Sequence, residues 1–216
     1  MITLGIIGVV AAITLPTLIQ NYRRHVVANK LKTDISILQQ ALQRSIADNG
    51  SPDNWDIDNQ DVFDVYIKPY IKILNEGIMK YDMYFQNSSA HYFIPNFKTY
   101  KLSNGTILIF RKDKTLYRRG SFYILLKEKK DGKYIFGKDI FTFNLILGTD
   151  DSGRFYITSS SDFHPVYSSF CAKTPEYLKE LCTTGNNPSG FAMGVGCSAL
   201  IECNSWEFPK DYPIKL

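Results

Sequence analysis

Charge is absent from the first 22 residues of this 216-residue chain; Arg23 is the first charged side chain. A secretory signal peptide is disfavoured there, because such a peptide ends in a small-residue cleavage site and Leu18-Ile19-Gln20-Asn21-Tyr22 is bulky. Histidine is scarce. His25, His91 and His164 form no His-Glu-x-x-His or His-x-His pattern, so no zinc or general-base motif is legible. Ser159-Ser160-Ser161-Asp162-Phe163-His164 brings triad residue types together, but triads are assembled from separated elements and no Gly-x-Ser-x-Gly elbow exists. That stretch reads as a polar loop. Excess charge of one sign is also missing: 25 basic against 21 acidic residues leave +4, too little to argue for nucleic acid. With 44% hydrophobic and 21% charged residues, disorder, a collagen-like repeat and a polytopic membrane protein are excluded.

What stands in the charge-free opening is a run from Ile2 to Ile19 that is apolar except for Thr3, Thr14, Pro16 and Thr17. As a helix it measures roughly 28 Å, close to the ~30 Å hydrocarbon core, and it has no polar face for a body to leave in water. The expectation is a membrane anchor over 1–22. The helical pattern then continues over 23–50. Val27, Leu31, Ile35, Leu38, Leu42 and Ile46 are spaced 4, 4, 3, 4 and 4 apart, a single docking stripe, with Lys32, Asp34, Gln39, Gln43 and Arg44 assigned to the opposite face. Asn49-Gly50-Ser51-Pro52 supplies the stop. Pro16 removes one backbone hydrogen bond and should loosen the helix locally.

Residues 51–216 are expected to form an extracytoplasmic globular domain. A shorter helix is predicted over 61–74, distorted by Pro69, and the texture turns to β from Tyr81. Asn104-Gly105 predicts a hairpin within 100–110. Lys130-Asp131-Gly132-Lys133 predicts a second, pairing 122–127 with 134–136. A strand over 140–147, a turn, a strand over 153–157 and a short helix over 175–181 complete the reading. The fold class is therefore α+β: a long N-terminal helix packed on an antiparallel sheet, with a loop-rich C-terminus. All the cysteines, Cys171, Cys182, Cys197 and Cys203, fall in that tail without a Cys-x-x-Cys pair, which predicts two disulfides and an oxidising compartment. Three connectivities are open. Arg23, Arg24, Lys30 and Lys32 after the anchor run against this, since the positive-inside rule would hold that side cytoplasmic.

The opening residues, Ile2-Thr-Leu-Gly-Ile-Ile-Gly-Val-Val-Ala-Ala-Ile-Thr-Leu-Pro-Thr-Leu-Ile19, resemble the N-terminal helix of type IV pilins and type II secretion pseudopilins. Two further stretches, Gly137 to Phe143 and Gly196 to Ile201 with Trp206 to Pro213, are similar to one subgroup of bacterial prepilin-type proteins. The resemblance implies a non-enzymatic filament subunit, stored in the inner membrane as a single-pass protein with its body periplasmic or extracellular. Its implied partners are other pilin or pseudopilin subunits, a prepilin peptidase and an assembly platform. No cofactor is implied, and nucleic acid is not an expected partner. Gly5, Gly8, Ala11 and Ala12 would allow close helix approach, and Pro16 matches the family's helix-breaking proline. The family's habit of one long C-terminal loop implies Cys171–Cys197 with Cys182–Cys203; Cys171–Cys182 with Cys197–Cys203 is the local alternative. The resemblance also implies a basic leader and a Gly-Phe-Thr-Leu-x-Glu processing site upstream of Met1. Some pseudopilins bind calcium in a C-terminal loop, but Asp150-Asp151-Ser152-Gly153 lacks the spaced ligands of a calcium loop and reads as a β-turn. Arg111, Lys112, Arg118, Arg119 and Lys127 to Lys133 read as solvated strand faces diluted by Asp113, Glu128 and Asp131. A second reading is a minor tip subunit acting as an adhesin or DNA-uptake receptor.

Overall fold

The computed structural model describes residues 2–56, 61–88, 91–112, 119–147, 156–158, 171, 173–185 and 194–216. Helix α1 (Ile2–Asn49) is unbroken for 48 residues, ~72 Å at the α-helical rise, and passes through Pro16. Its stripe enters the core: Leu31, Leu38 and Leu42 are fully buried, Ile35 nearly so, and Val27 and Ile46 are partly buried at the two ends. Each fully buried leucine contributes about 1.5–3 kcal/mol to holding helix on body.

The helix predicted over 61–74 is cut short. A π-turn over Phe63–Ile67 and a 3-10 turn over Lys68–Tyr70 replace it, and strand β1 (Ile73–Tyr84) begins where its last turn was expected. Pro69 cannot donate to a helical ladder. Cross-strand pairing of Ile73 with Leu102 then outweighs the local apolar pattern. The remaining strands are β2 (His91–Leu102), β3 (Ile107–Lys112), β4 (Arg119–Leu125), β5 (Lys133–Ile135), β6 (Ile140–Ile146) and β7 (Tyr156–Thr158), in the spatial order β5-β1-β2-β3-β4-β6-β7. The β2–β3 hairpin turns at Asn104-Gly105, with Gly105 at φ +80°, which only glycine adopts cheaply.

Two strand expectations need correction. The sheet is mixed, because β5 runs parallel to β1. The second hairpin does not form: β4 pairs with β6, and β5 crosses to the far side of the sheet. In a flat sheet β5 and β6 would lie about 24 Å apart, five strand spacings. Only residues 136–139 join them, and Phe136 bridges Ile140 directly. The sheet must therefore curl until its two sides nearly meet, and Tyr81, Tyr123, Tyr134, Phe136, Phe141 and Phe143 fill its buried positions.

Helix α2 (Pro175–Thr184) matches expectation, opened by Thr174 capping the Tyr177 N–H and closed by Gly185. Helix α3 (Val195–Glu202) does not follow from the sequence. Every residue from Val195 to Ile201 is buried, so it carries no amphipathic period to read. The disulfides join Cys171 to Cys203 and Cys182 to Cys197, a nested arrangement that corrects both the implied and the local pairing. Contact between α2 and α3 explains it. A Cβ on Gly196 would lie 2.6 Å from Leu181 Cβ, so the helices touch where Cys182 and Cys197 stand, Cα to Cα 4.5 Å.

Candidate functional site

Two halves of α1 meet near Tyr22. Below it, Ile13, Leu18 and Tyr22 are 69%, 65% and 69% exposed, and Leu15 and Ile19 are also bare, so large apolar side chains face water around the helix. Ala12 and Pro16 are exposed among them. The other expected packing residues, Gly5, Gly8 and Ala11, lie outside the residues whose side chains are described. Among the described residues no helix is long and apolar enough to cross a membrane.

Above Tyr22 the helix is fixed to the body by polar side chains on both flanks of the stripe. Arg24 Nη1 donates to the carbonyls of Pro209 (3.2 Å) and Lys210 (3.3 Å), tying the helix to the C-terminal tail. Lys30 Nζ donates to Leu126 O at 2.6 Å. Asp34 is fully buried and accepts from Asn104 Nδ2 (2.6 Å) and Thr106 Oγ1 (2.8 Å). Gln39 Oε1 accepts from the Ile157 N–H at 2.9 Å, supplying the outermost strand β7 with a hydrogen bond from α1. Asn49 Nδ2 donates to Tyr70 Oη at 3.1 Å. Asp34 and Gln39 were expected on the solvated face; each sits instead about 60–80° from the centre of the stripe, at the helix–sheet seam. Asn104 serves twice, since its Oδ1 also accepts from the Thr106 N–H and shapes the hairpin.

Electrostatics at this seam follows burial. Desolvation raises the Asp34 pKa above the ordinary carboxylate range, against the lowering effect of its two hydrogen bonds and of Lys30. Desolvation likewise lowers that of Lys30, opposed by the charge of Asp34. Burial thus pushes both groups toward neutrality.

Where Arg24 leaves the tail there is a cavity of about 220 Å³ lined by Asn21, Arg24, His25, Glu207, Phe208 and Lys210. A larger open cleft of about 570 Å³ lies beside Asp64, Lys68, Ile73 and Glu76. Its charges satisfy one another: Lys68 meets Glu76 at 2.7 Å and Asp64 at 3.5 Å, and Lys98 pairs with Asp64. Burial alone would raise the Asp64 pKa, but the hydrogen bonds from Lys98 and Tyr100 and the nearby lysine charges lower it. Within the basic stretch after β4, Lys129 pairs with Asp139 at 2.9 Å, and Lys101 reaches Glu128 at 3.4 Å. Among the described residues no three His, Cys, Asp or Glu side chains converge on a metal-sized space. The Asp150 to Gly153 turn, the Ser159 to His164 loop and the His91 side chain lie outside the described residues.

The stretches Gly137 to Phe143, Gly196 to Ile201 and Trp206 to Pro213 come together in space. Thr142 N–H donates to Ser198 Oγ at 3.0 Å, Phe143 stacks on Trp206, and Phe141 meets Phe208 edge-on. Tyr212 Oη donates to Gly137 O at 2.9 Å, and burial raises its pKa, so it stays a donor. Gly137 holds φ +78°, and a Cβ there would meet Cys197 Sγ at 2.6 Å and Tyr212 Oη at 2.7 Å. These motifs build one clasp of β6, α3 and the tail. It supports the Pro209–Lys210 carbonyls on which Arg24 rests.

No curated protein and no solved structure matches the chain. The signature of a family of unknown function (DUF6613) matches residues 17–216, from the end of the apolar run through the clasp to the last residue. The chain belongs to that family of unknown function.

Proposed function

We propose that the chain is a structural subunit of a type IV pilus or type II secretion pseudopilus, stored in a membrane and assembled through its N-terminal helix. The observation that carries this reading is a single continuous helix with two surroundings: bare and apolar around Ile13 to Tyr22, buried from Ala28 to Leu42. An apolar helix leaves lipid only if another apolar environment receives it, and a bundle of the same helices in a filament core is such an environment. Small residues at Gly5, Gly8, Ala11 and Ala12 let backbones approach, and Pro16 weakens the ladder where a filament would stretch. The polar contacts at Arg24, Lys30, Asp34 and Gln39 transmit load from helix to body. Two disulfides in the tail favour a body on the oxidising side of the membrane.

Single cysteines at Ala12 and Ile19, oxidised in cell envelopes, test the proposal. Disulfide-linked dimers are expected from each of these positions and none from a cysteine at Gln43. Monomers only, in a fraction that sheds from the membrane under alkaline wash, would contradict it.

A further inference from the structure

The cavity at the collar of α1 has a composition that the helix–sheet seam does not explain. Arg24, His25 and Lys210 line it, with Glu207 as the acidic member. Arg24 spends Nη1 on the Pro209 and Lys210 carbonyls, while its Nε is buried without a hydrogen-bond partner among the described residues. That Nε has no accessible surface, so what the cavity offers an anion is its charge: Arg24 and Lys210 against Glu207 leave one positive charge in excess.

Position specifies the anion. Ile19 closes the apolar run, and Arg24 stands five residues further on, about 7.5 Å along the helix. The headgroup layer of a bilayer extends about 5–7 Å beyond its hydrocarbon. With Ile19 at the hydrocarbon edge, the exposed Tyr22 falls in the interfacial aromatic belt, and the cavity falls at the level of the lipid phosphates. Glu207 bears on the ligand as well. It offsets one of the positive charges of Arg24 and Lys210, which suits a singly charged phosphodiester better than a doubly charged free phosphate, and it can accept from a headgroup hydroxyl.

We infer that this cavity binds the headgroup phosphate of an anionic phospholipid, with Arg24 and Lys210 as the phosphate donors and Glu207 accepting from the headgroup. The inference rests on the membrane-stored reading proposed above. It also gives Arg24 a reason to follow the anchor on the non-cytoplasmic side, where the positive-inside rule disfavours it.

The test uses the full chain, first floated with phosphatidylcholine vesicles and then extracted in mild detergent. Native mass spectrometry then reads lipid retained from an equal mixture of phosphatidylglycerol and phosphatidylcholine. The comparison is with His25→Gln/Lys210→Gln, which leaves the Arg24 bonds to the tail in place, and with Lys32→Gln, an exposed lysine on the same helix. Wild type and Lys32→Gln should retain phosphatidylglycerol selectively, and the double variant about five-fold less. Equal retention by all three, or no preference for phosphatidylglycerol, overturns the site. Displacement by millimolar inorganic phosphate overturns the lipid as its ligand. Failure of the wild type to float is a separate outcome that overturns the membrane-stored reading itself, and the site with it.

Discussion

From Ala12 to Tyr22, α1 holds large apolar side chains out in the open, whereas from Ala28 to Leu42 the same helix is buried along one stripe and hydrogen-bonded along its flanks. Backbone and handedness are common to both halves; only the side-chain pattern differs. The upper half is amphipathic with polar anchors at the stripe margins, so it docks in one register. From Ala12 to Tyr22 the lower half has no apolar stripe, so its large apolar side chains select no single face of the body. That pattern suits an environment that surrounds the helix, as lipid or a bundle of like helices does. Substitutions in the two halves should therefore have different kinds of consequence, and this gives a way to break the comparison.

The largest loss of body stability is expected outside the helix itself, at the clasp that seats Arg24. Gly137→Ala combines a positive φ with a Cβ placed against Cys197 Sγ and Tyr212 Oη. It should cost about 3–5 kcal/mol in urea unfolding. Next comes the direct contrast within α1. Leu38→Ala empties a fully buried site and should cost about 3 kcal/mol, while Leu18→Ala should leave the unfolding free energy of the body within about 0.5 kcal/mol and reduce only membrane retention or assembly. Equal destabilisation by both would end the two-halves account.

Smaller, and sharper in what it tests, is Asp34. Its pKa in the folded body is raised, so folding favours the protonated form. The associated stability is fully present below the unfolded carboxylate pKa and is lost as pH rises through the elevated folded value. The difference in urea midpoint between wild type and Asp34→Asn, measured from pH 3 to pH 7, should therefore move against the wild type as pH rises. A flat difference would mean that burial does not govern this carboxylate. Asp34→Ala, which strands the Asn104 and Thr106 donors, should cost about 1–3 kcal/mol.

How much of this the sequence could disclose follows from where the signal is local. The helix over 2–49, its stripe and the Asn104-Gly105 hairpin rest on spacing and turn chemistry within a few residues, and they were legible. The same wheel that put Leu31, Ile35 and Leu38 on one line also put Asp34 and Gln39 at its margins, a clue that a polar/apolar division overlooks. Strand β5 pairs with β1 about fifty residues earlier in the chain, and no turn signal encodes that choice over β4. Helix α3 is buried on all sides, so its pattern could not separate helix from strand. The disulfide pairing follows from the α2–α3 contact at Gly196, a tertiary fact that cysteine spacing does not carry. Convergence of the Gly137, Gly196 and Trp206 stretches into one clasp was likewise a matter of three-dimensional packing.

Maleimide labelling of single-cysteine variants along α1 in intact envelopes, at Ile13, Leu15, Leu18 and Ile19 against Gln43 and Arg44, tests the central claim most directly. In the structure both sets are exposed. If lipid or neighbouring helices surround the lower half, its four positions should resist labelling until the membrane is dissolved and the subunits separated, while Gln43 and Arg44 react at once. Equally fast labelling at all six positions in the intact envelope would contradict the claim.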